Sequence, residues 1–200
     1  LTDQQPLSAW SPVQRGGLRA KTETAILAPL HPNNPTCLVL TTSGSIGEAG
    51  VANTGYDGGM PVKAGASYDF SLYARQLSGE SAPFTITLEA PDATVLARSE
   101  VPAPGTAWAK QSTTLKCTRD EAKARLVLTT KAKGQLALDM ISLFPRDTFK
   151  GRRNGLRRDL AQAIADLKPR TFRFPGGCIV HGTGLANAYR WKDTVGDVAN

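Results

Sequence analysis

Two hundred residues, 40% of them hydrophobic and 20% charged, suffice for a folded core and exclude a disordered chain. No apolar run approaches membrane-spanning length, so no membrane partner is expected. The formal charge of +7 raises nucleic acid as a partner, but no aromatic platform is interleaved with the basic residues and no nucleic-acid motif is present.

Residues 1 to about 145 read as all-β. Leu38, Leu40 and Thr42 alternate after Cys37. Tyr68, Phe70, Leu72 and Ala74 form the clearest period-two run, followed by Phe84, Ile86 and Leu88, then Val95 to Val101. Trp108 opens a strand toward Leu115; Leu126 and Leu128 make another; Leu136, Leu138 and Met140 make the last. The joints are rich in turn residues, with Gly44 to Gly50 and Gly55 to Gly59 the longest. Short alternating strands at near-regular spacing predict a mostly β fold, a jelly-roll or related β-sandwich with one buried face per sheet. Trp10, Tyr56, Tyr73 and Trp108 are either core aromatics or a sugar platform on such a sandwich.

The pattern changes near Pro145. Within residues 154–167, Leu156, Leu160, Ala163, Ile164 and Leu167 make one helical stripe, with Asn154 as N-cap and Lys168-Pro169 as the stop. A short run, Phe172-Arg-Phe174, then predicts a strand that Pro175, Gly176 and Gly177 end. Arg173 thereby falls where α/β folds gather chemistry, at the carboxyl edge of a parallel sheet. Domain boundaries follow: a sandwich over 1–145, and an incomplete α/β segment over 146–200. One helix and one strand cannot bury that stripe by themselves, so the segment is expected to open a larger domain. Leu1 is not a natural start, no signal-peptide pattern heads the chain, and no stop signal marks Asp197 to Asn200; a piece of a longer protein is expected.

Other signals are weaker. Lys150, Arg152, Arg153, Arg157 and Arg158 cluster, and Lys150, Arg153 and Arg157 fall at helical spacing, as on a solvated helix face. Cys37 and Cys117 lie in strand-like runs, either as a pair or as small core residues. Neither Cys-x-x-Cys nor His-x-x-x-His occurs, so no zinc site is expected. Pro175-Gly-Gly177 as a phosphate cradle lacks the Lys-Ser/Thr of a P-loop.

The motifs Asp139-Met-Ile-Ser-Leu-Phe-Pro145, Asp147-Thr-Phe-Lys-Gly151, Asn154-Gly-Leu-Arg-Arg-Asp-Leu160, Phe172-Arg-Phe-Pro-Gly-Gly-Cys178, Tyr189-Arg-Trp-Lys192 and Thr194-Val-Gly196 resemble the α-L-arabinofuranosidases of glycoside hydrolase family 51. Ala49-Gly-Val-Ala-Asn-Thr-Gly55 and Tyr68-Asp-Phe-Ser-Leu-Tyr-Ala-Arg75 are similar to the carbohydrate-binding-module-like sandwich of many members. The resemblance implies a (β/α)8 catalytic barrel, of which residues 146–200 would be the first helix, strand and substrate loop. It implies retaining removal of arabinofuranosyl groups from arabinoxylan- or arabinan-type polysaccharides by two glutamates. Both glutamates lie on later strands, so no catalytic carboxylate is assigned within this chain. Arg173 matches an arginine that braces the nucleophile, Cys178 a position lining the arabinose subsite, Gly176 and Gly177 the loop that carries it, and Trp191 a tryptophan near the sugar. Relatives often have glutamate where His181 stands, and a loop hydrogen-bonding role is expected for this histidine. No cofactor is implied beyond a structural calcium in the sandwich, for which Asp139 is the candidate. Secretion or a periplasmic place suits such an enzyme. The alternative is a non-catalytic carbohydrate-binding protein with the sandwich as its working part.

Overall fold

A computed structural model describes residues 7–27, 29–173, 176–184 and 187–196. Nine strands come first: β1 (Trp10–Ala25), β2 (Cys37–Asn53), β3 (Met60–Val62), β4 (Ser67–Gly79), β5 (Phe84–Glu89), β6 (Val95–Val101), β7 (Ala109–Lys116), β8 (Glu121–Thr130) and β9 (Gly134–Pro145). Among the described residues two helices follow, α1 (Arg158–Asp166) and the four-residue α2 (Cys178–His181). No helix among the described residues is long and apolar enough to cross a membrane.

Every strand pair is antiparallel, in the order β6-β5-β8-β2-β9-β4-β7, with β1 on β2 and β3 on β8. The two ends of that path approach each other, since the Ser99 hydroxyl of β6 hydrogen-bonds the Thr113 hydroxyl of β7. Two sheets therefore enclose one core, the predicted β-sandwich. β4 shows why alternation was readable: Tyr68, Phe70, Leu72 and Ala74 are buried while Asp69, Ser71, Tyr73 and Arg75 face away from the core. Phe70, Leu72, Phe84, Ile86, Leu115, Leu128 and Leu138 are fully buried, each worth about 1.5–3 kcal/mol of transfer free energy.

The strand that joins the sheets is β2. Its first half, Leu38 to Thr42, pairs with β9; its second, Ala49 to Asn53, pairs with β8. Between them the chain pairs only with β1. The turn expected over residues 44–50 is thus not a reversal but the middle of a long two-stranded ribbon. The glycines are there for close approach: a Cβ on Gly44 would stand 2.4 Å from Gly17 O, and one on Gly47 only 2.1 Å from Arg15 O. A glycine cluster marks backbone crowding as readily as it marks a turn. β1, which had no sequence assignment, carries a register shift between Gly16 and Leu18 that delivers Leu18 into full burial.

The cysteines are free thiols; Cys37 and Cys117 are buried in separate apolar clusters, and burial raises the pKa of both. The pairing alternative is thereby dropped. Glu89, at the end of β5, is fully buried. It receives hydrogen bonds from Thr87 Oγ1 at 2.8 Å, from Arg125 at 3.0 Å and from Arg15.

After Pro145 the chain stays close to the sandwich: Arg146 Nε lies 2.7 Å from Asp69 Oδ1. Thr148, buried, bridges to Arg157 across a tight turn. Helix α1 begins at Arg158, four residues beyond the predicted cap. Asn154 instead takes a left-handed φ of 51° inside that turn, which its short polar side chain tolerates. Lys150 and Arg153 therefore precede the helix, and the basic cluster is no helix face. Arg157 instead forms a two-bond pair with Asp159, and Arg158 reaches Asp147 at 3.2 Å.

Leu156, Leu160, Ile164 and Leu167 remain 72%, 57%, 47% and 79% exposed. Only part of the predicted stripe is helical: Leu160 and Ile164 lie on α1, Leu167 caps it and Leu156 stands in the turn before it, and among the described residues nothing covers these four side chains. The predicted strand has not formed: residues 171–173 are without regular structure, and Phe174 and Pro175 lie outside the described residues. A parallel strand exists only against a neighbour, and all described strands lie in the sandwich before residue 146.

Candidate functional site

The candidate residues lie on the chain that follows α1. Arg173 is exposed and sits beside the glycine turn: a Cβ on Gly176 would stand 3.6 Å from its Nε and 3.8 Å from its Cζ. The guanidinium thus lies along the backbone of Gly176, one residue before α2 is capped. Gly177 and Gly182 bracket α2 at φ 64°, ψ −146° and φ 58°, ψ −153°. Both fall close to a region that is almost exclusively glycine's. Two such residues, five positions apart, isolate a single turn and fix where Cys178 begins it. The Cys178 thiol is exposed and free.

The loop is knit by its own hydrogen bonds. Val180 N reaches Gly177 O at 3.1 Å, Gly182 N reaches Cys178 O at 2.9 Å, and Tyr189 N returns to Val180 O at 3.0 Å. Asn187 is the organising side chain. Its Oδ1 accepts from the amides of Thr183 at 3.0 Å and Gly184 at 3.2 Å, and its Nδ2 donates to Thr183 Oγ1 at 3.0 Å. The sequence reading passed over Asn187, although an asparagine after a glycine-rich run is a known signal for side-chain-to-backbone bonding. His181 Nδ1 lies 3.0 Å from Gly182 O, the loop hydrogen bond expected of it.

Trp191 opens a 3₁₀ turn, Trp191–Thr194, is 62% exposed, and has Lys192 Nζ 5.9 Å from its ring centroid. The structure therefore gathers Arg173, Gly176, Gly177 and Cys178 into one short stretch, and ties Trp191 to it through the Tyr189–Val180 bond two residues earlier. What this arrangement offers is a guanidinium, a thiol and an aromatic ring on an exposed loop; among the described side chains of the loop there is no carboxylate.

Among the described residues, no three His, Cys, Asp or Glu side chains converge to hold a metal. Asp139 is met by nitrogen donors, Met140 N at 2.7 Å and Asn34 Nδ2 at 3.5 Å. Burial raises its pKa in spite of both.

Fold and loop together define a class: a β-sandwich continuous with a helix-and-loop segment whose apolar residues are exposed among the described residues. Residues 163–200 match a family model described as the α-L-arabinofuranosidase 1 domain. The chain is 42% identical over 159 residues to an extracellular exo-α-L-arabinofuranosidase of Streptomyces chartreusis, covering 74% of this chain and 19% of that protein. It is 40% identical over 152 residues to α-L-arabinofuranosidase 1 of Arabidopsis thaliana, covering 75% of this chain and 22% of that protein. The structure of an arabinose-bound family 51 α-L-arabinofuranosidase superposes with a TM-score of 0.84 at 30% identity, over 96% of this chain and 32% of the other. The chain belongs with the α-L-arabinofuranosidases of glycoside hydrolase family 51. It spans about a fifth of the length of these curated relatives.

Proposed function

We propose that this chain is the sandwich and the opening of the catalytic barrel of a retaining α-L-arabinofuranosidase. The whole enzyme would remove terminal arabinofuranosyl groups from arabinoxylan- or arabinan-type polysaccharides. The observation that carries the reading is the uncovered stripe Leu156, Leu160, Ile164 and Leu167, directly followed by the Arg173–Cys178 loop. Exposed apolar side chains on and beside a helix call for a further layer; the exposed arginine that follows is free to meet an anion there. In a retaining glycosidase both needs are met by the rest of the barrel, with the nucleophile glutamate as the anion.

Arg173 then has an electrostatic task. A carboxylate nucleophile must stay ionised until it attacks the anomeric carbon. A guanidinium beside it favours the charged form and fixes its orientation through two parallel N–H bonds. The acid/base glutamate protonates the departing oxygen, and later draws a proton from the water that releases the sugar. Cys178 and Trp191 would line the arabinose subsite. Gly176 and Gly177 let the loop backbone approach it.

The test uses an aryl α-L-arabinofuranoside. Residues 1–200 alone should give no turnover, and the protein encoded by the longer reading frame should hydrolyse it with retention of configuration. In that longer protein Arg173→Ala should lower kcat by roughly 10²-fold or more, the scale of losing one preorganised electrostatic contact. Turnover by residues 1–200, or full activity of the Arg173 variant, would overturn the assignment. A longer protein that binds arabinoxylan without cleaving it would instead establish the non-catalytic reading.

A further inference from the structure

The outward face of β4, β7 and β9 forms a second site on the sandwich. Antiparallel register sets its side chains in rows across the three strands. Phe144, Asp69 and Thr114 make one row, and Ser142, Ser71 and Ser112 the next. Tyr73 and Lys110 stand one step further along. From Asp69 to Tyr73 the rows extend about 14 Å at roughly 3.4 Å per residue. The chain after β9 then folds over one end and brings up Arg146, Arg153 and Asn154. All of these but Tyr73, which stands beside it, line a cavity of about 680 Å³, within the roughly 300–1,000 Å³ range of ligand pockets.

Its chemistry is mixed in a particular way. Hydroxyls form the floor, with Ser71 Oγ and Ser142 Oγ 2.8 Å apart. Phe144, half-buried, gives an apolar ring beside them. Asp69 is already neutralised: Arg146 Nε lies at 2.7 Å and Thr114 Oγ1 at 3.1 Å, while Arg146 also donates to Thr114 Oγ1 at 2.8 Å. Two cations are left over. Lys110 Nζ rests 5.5 Å from the Tyr73 ring centroid, and exposed Arg153 has no carboxylate within salt-bridge distance among the described residues. Hydroxyl groups match sugar hydroxyls, an aromatic face matches the C–H face of a sugar ring, and surplus positive charge matches a carboxylate. A small free anion would use the cations but not a floor spread over several rows.

We propose that this groove binds an acidic oligosaccharide, one carrying a uronic acid, with Lys110 and Arg153 facing the carboxylate. The proposal takes its ligand class from the reading that the protein acts on polysaccharides, and adds charge selectivity at a place remote in sequence from the Arg173 loop.

Calorimetric titration of the 200-residue chain tests it with three probes: glucuronic-acid-substituted xylotetraose, unsubstituted xylotetraose and sodium glucuronate. The substituted oligosaccharide should bind about tenfold or more tighter than the other two, about 1.4 kcal/mol or more, and its affinity should fall with added salt. Lys110→Gln and Arg153→Gln should each remove much of that advantage. Ser112→Leu, which fills the floor, should abolish binding. All three positions are exposed, so unchanged unfolding midpoints will certify the variants. Equal affinity for the two oligosaccharides overturns the charge assignment. Glucuronate bound as tightly as the oligosaccharide reduces the groove to an anion site, and absence of binding removes the site altogether. Hydrolysis by the longer protein is read separately. Uronate binding without hydrolysis sinks only the catalytic proposal, and hydrolysis without uronate binding sinks only this one.

Discussion

Replacing Glu89 by glutamine should be among the most damaging single changes in the sandwich. The side chain is fully buried and satisfies Thr87, Arg15 and Arg125, while the two arginines keep 37% and 31% of their side-chain surface exposed. Breaking a buried ion pair by removing one partner costs about 3–5 kcal/mol. Water can resolvate part of each guanidinium here, so the lower end applies, about 2–3 kcal/mol after discounting for screening. Arg125 loses its 3.0 Å bond from Nη2 to Glu89 and keeps only part of its side chain in water, so its guanidinium is incompletely resolvated in the variant. At roughly 2–4 °C per kcal/mol for a chain of this size, Tm should fall by about 4–12 °C.

The same carboxyl sets an acid-side signature. Burial pushes its pKa up, but hydrogen bonds from Arg15, Thr87 and Arg125 and the Arg15 charge outweigh burial, and the net pKa lies below the ordinary glutamate value. A carboxyl whose pKa is depressed by folding stabilises the native state at pH values above its unfolded pKa, about 4.3. That contribution is lost as pH falls from there through the lower folded value. Urea titrations between neutral pH and about pH 3 should show a steeper loss for the native chain than for Glu89→Gln. A variant within about 0.5 kcal/mol of the native chain at neutral pH, or one with the same acid slope, would refute the assignment of this pair as a stabilising element. Replacing Glu89, Arg15 and Arg125 together by apolar residues of similar volume should be far milder, because no charge is then stranded.

Two further outcomes follow from the fold. Gly47→Ala places a Cβ only 2.1 Å from Arg15 O; the ribbon of β1 and β2 must part, costing about 1–3 kcal/mol of unfolding free energy, read as a lower urea midpoint, whereas a true turn glycine with open space would lose less. Ile164→Lys in the 200-residue chain should leave Tm within about one degree and reduce dye binding and self-association, because that side chain is 47% exposed. In the longer protein it should destabilise by about 2 kcal/mol or more if a barrel layer covers the stripe.

What the sequence settled by itself was whatever depends on near neighbours along the chain. The two-residue alternation of Tyr68, Phe70, Leu72 and Ala74 fixes which face of β4 is core, whatever it pairs with. The three-and-four spacing of Leu160, Ile164 and Leu167 announced a helix that forms whether or not anything covers it, although its start, two residues after Leu156, was not legible, and the loop motif around Arg173 was legible as a motif. Tertiary structure decided the rest. That β2 serves both sheets, with glycines at its crossing rather than at a turn, depends on β8 and β9, some ninety residues away. That Asp69, Ser71, Ser112 and Ser142 share one floor with Arg146 depends on the register of three strands. Among the described residues, 171–173 form no strand for the same reason: a β-strand is completed by hydrogen bonds to a neighbour, and no local pattern can supply the neighbour.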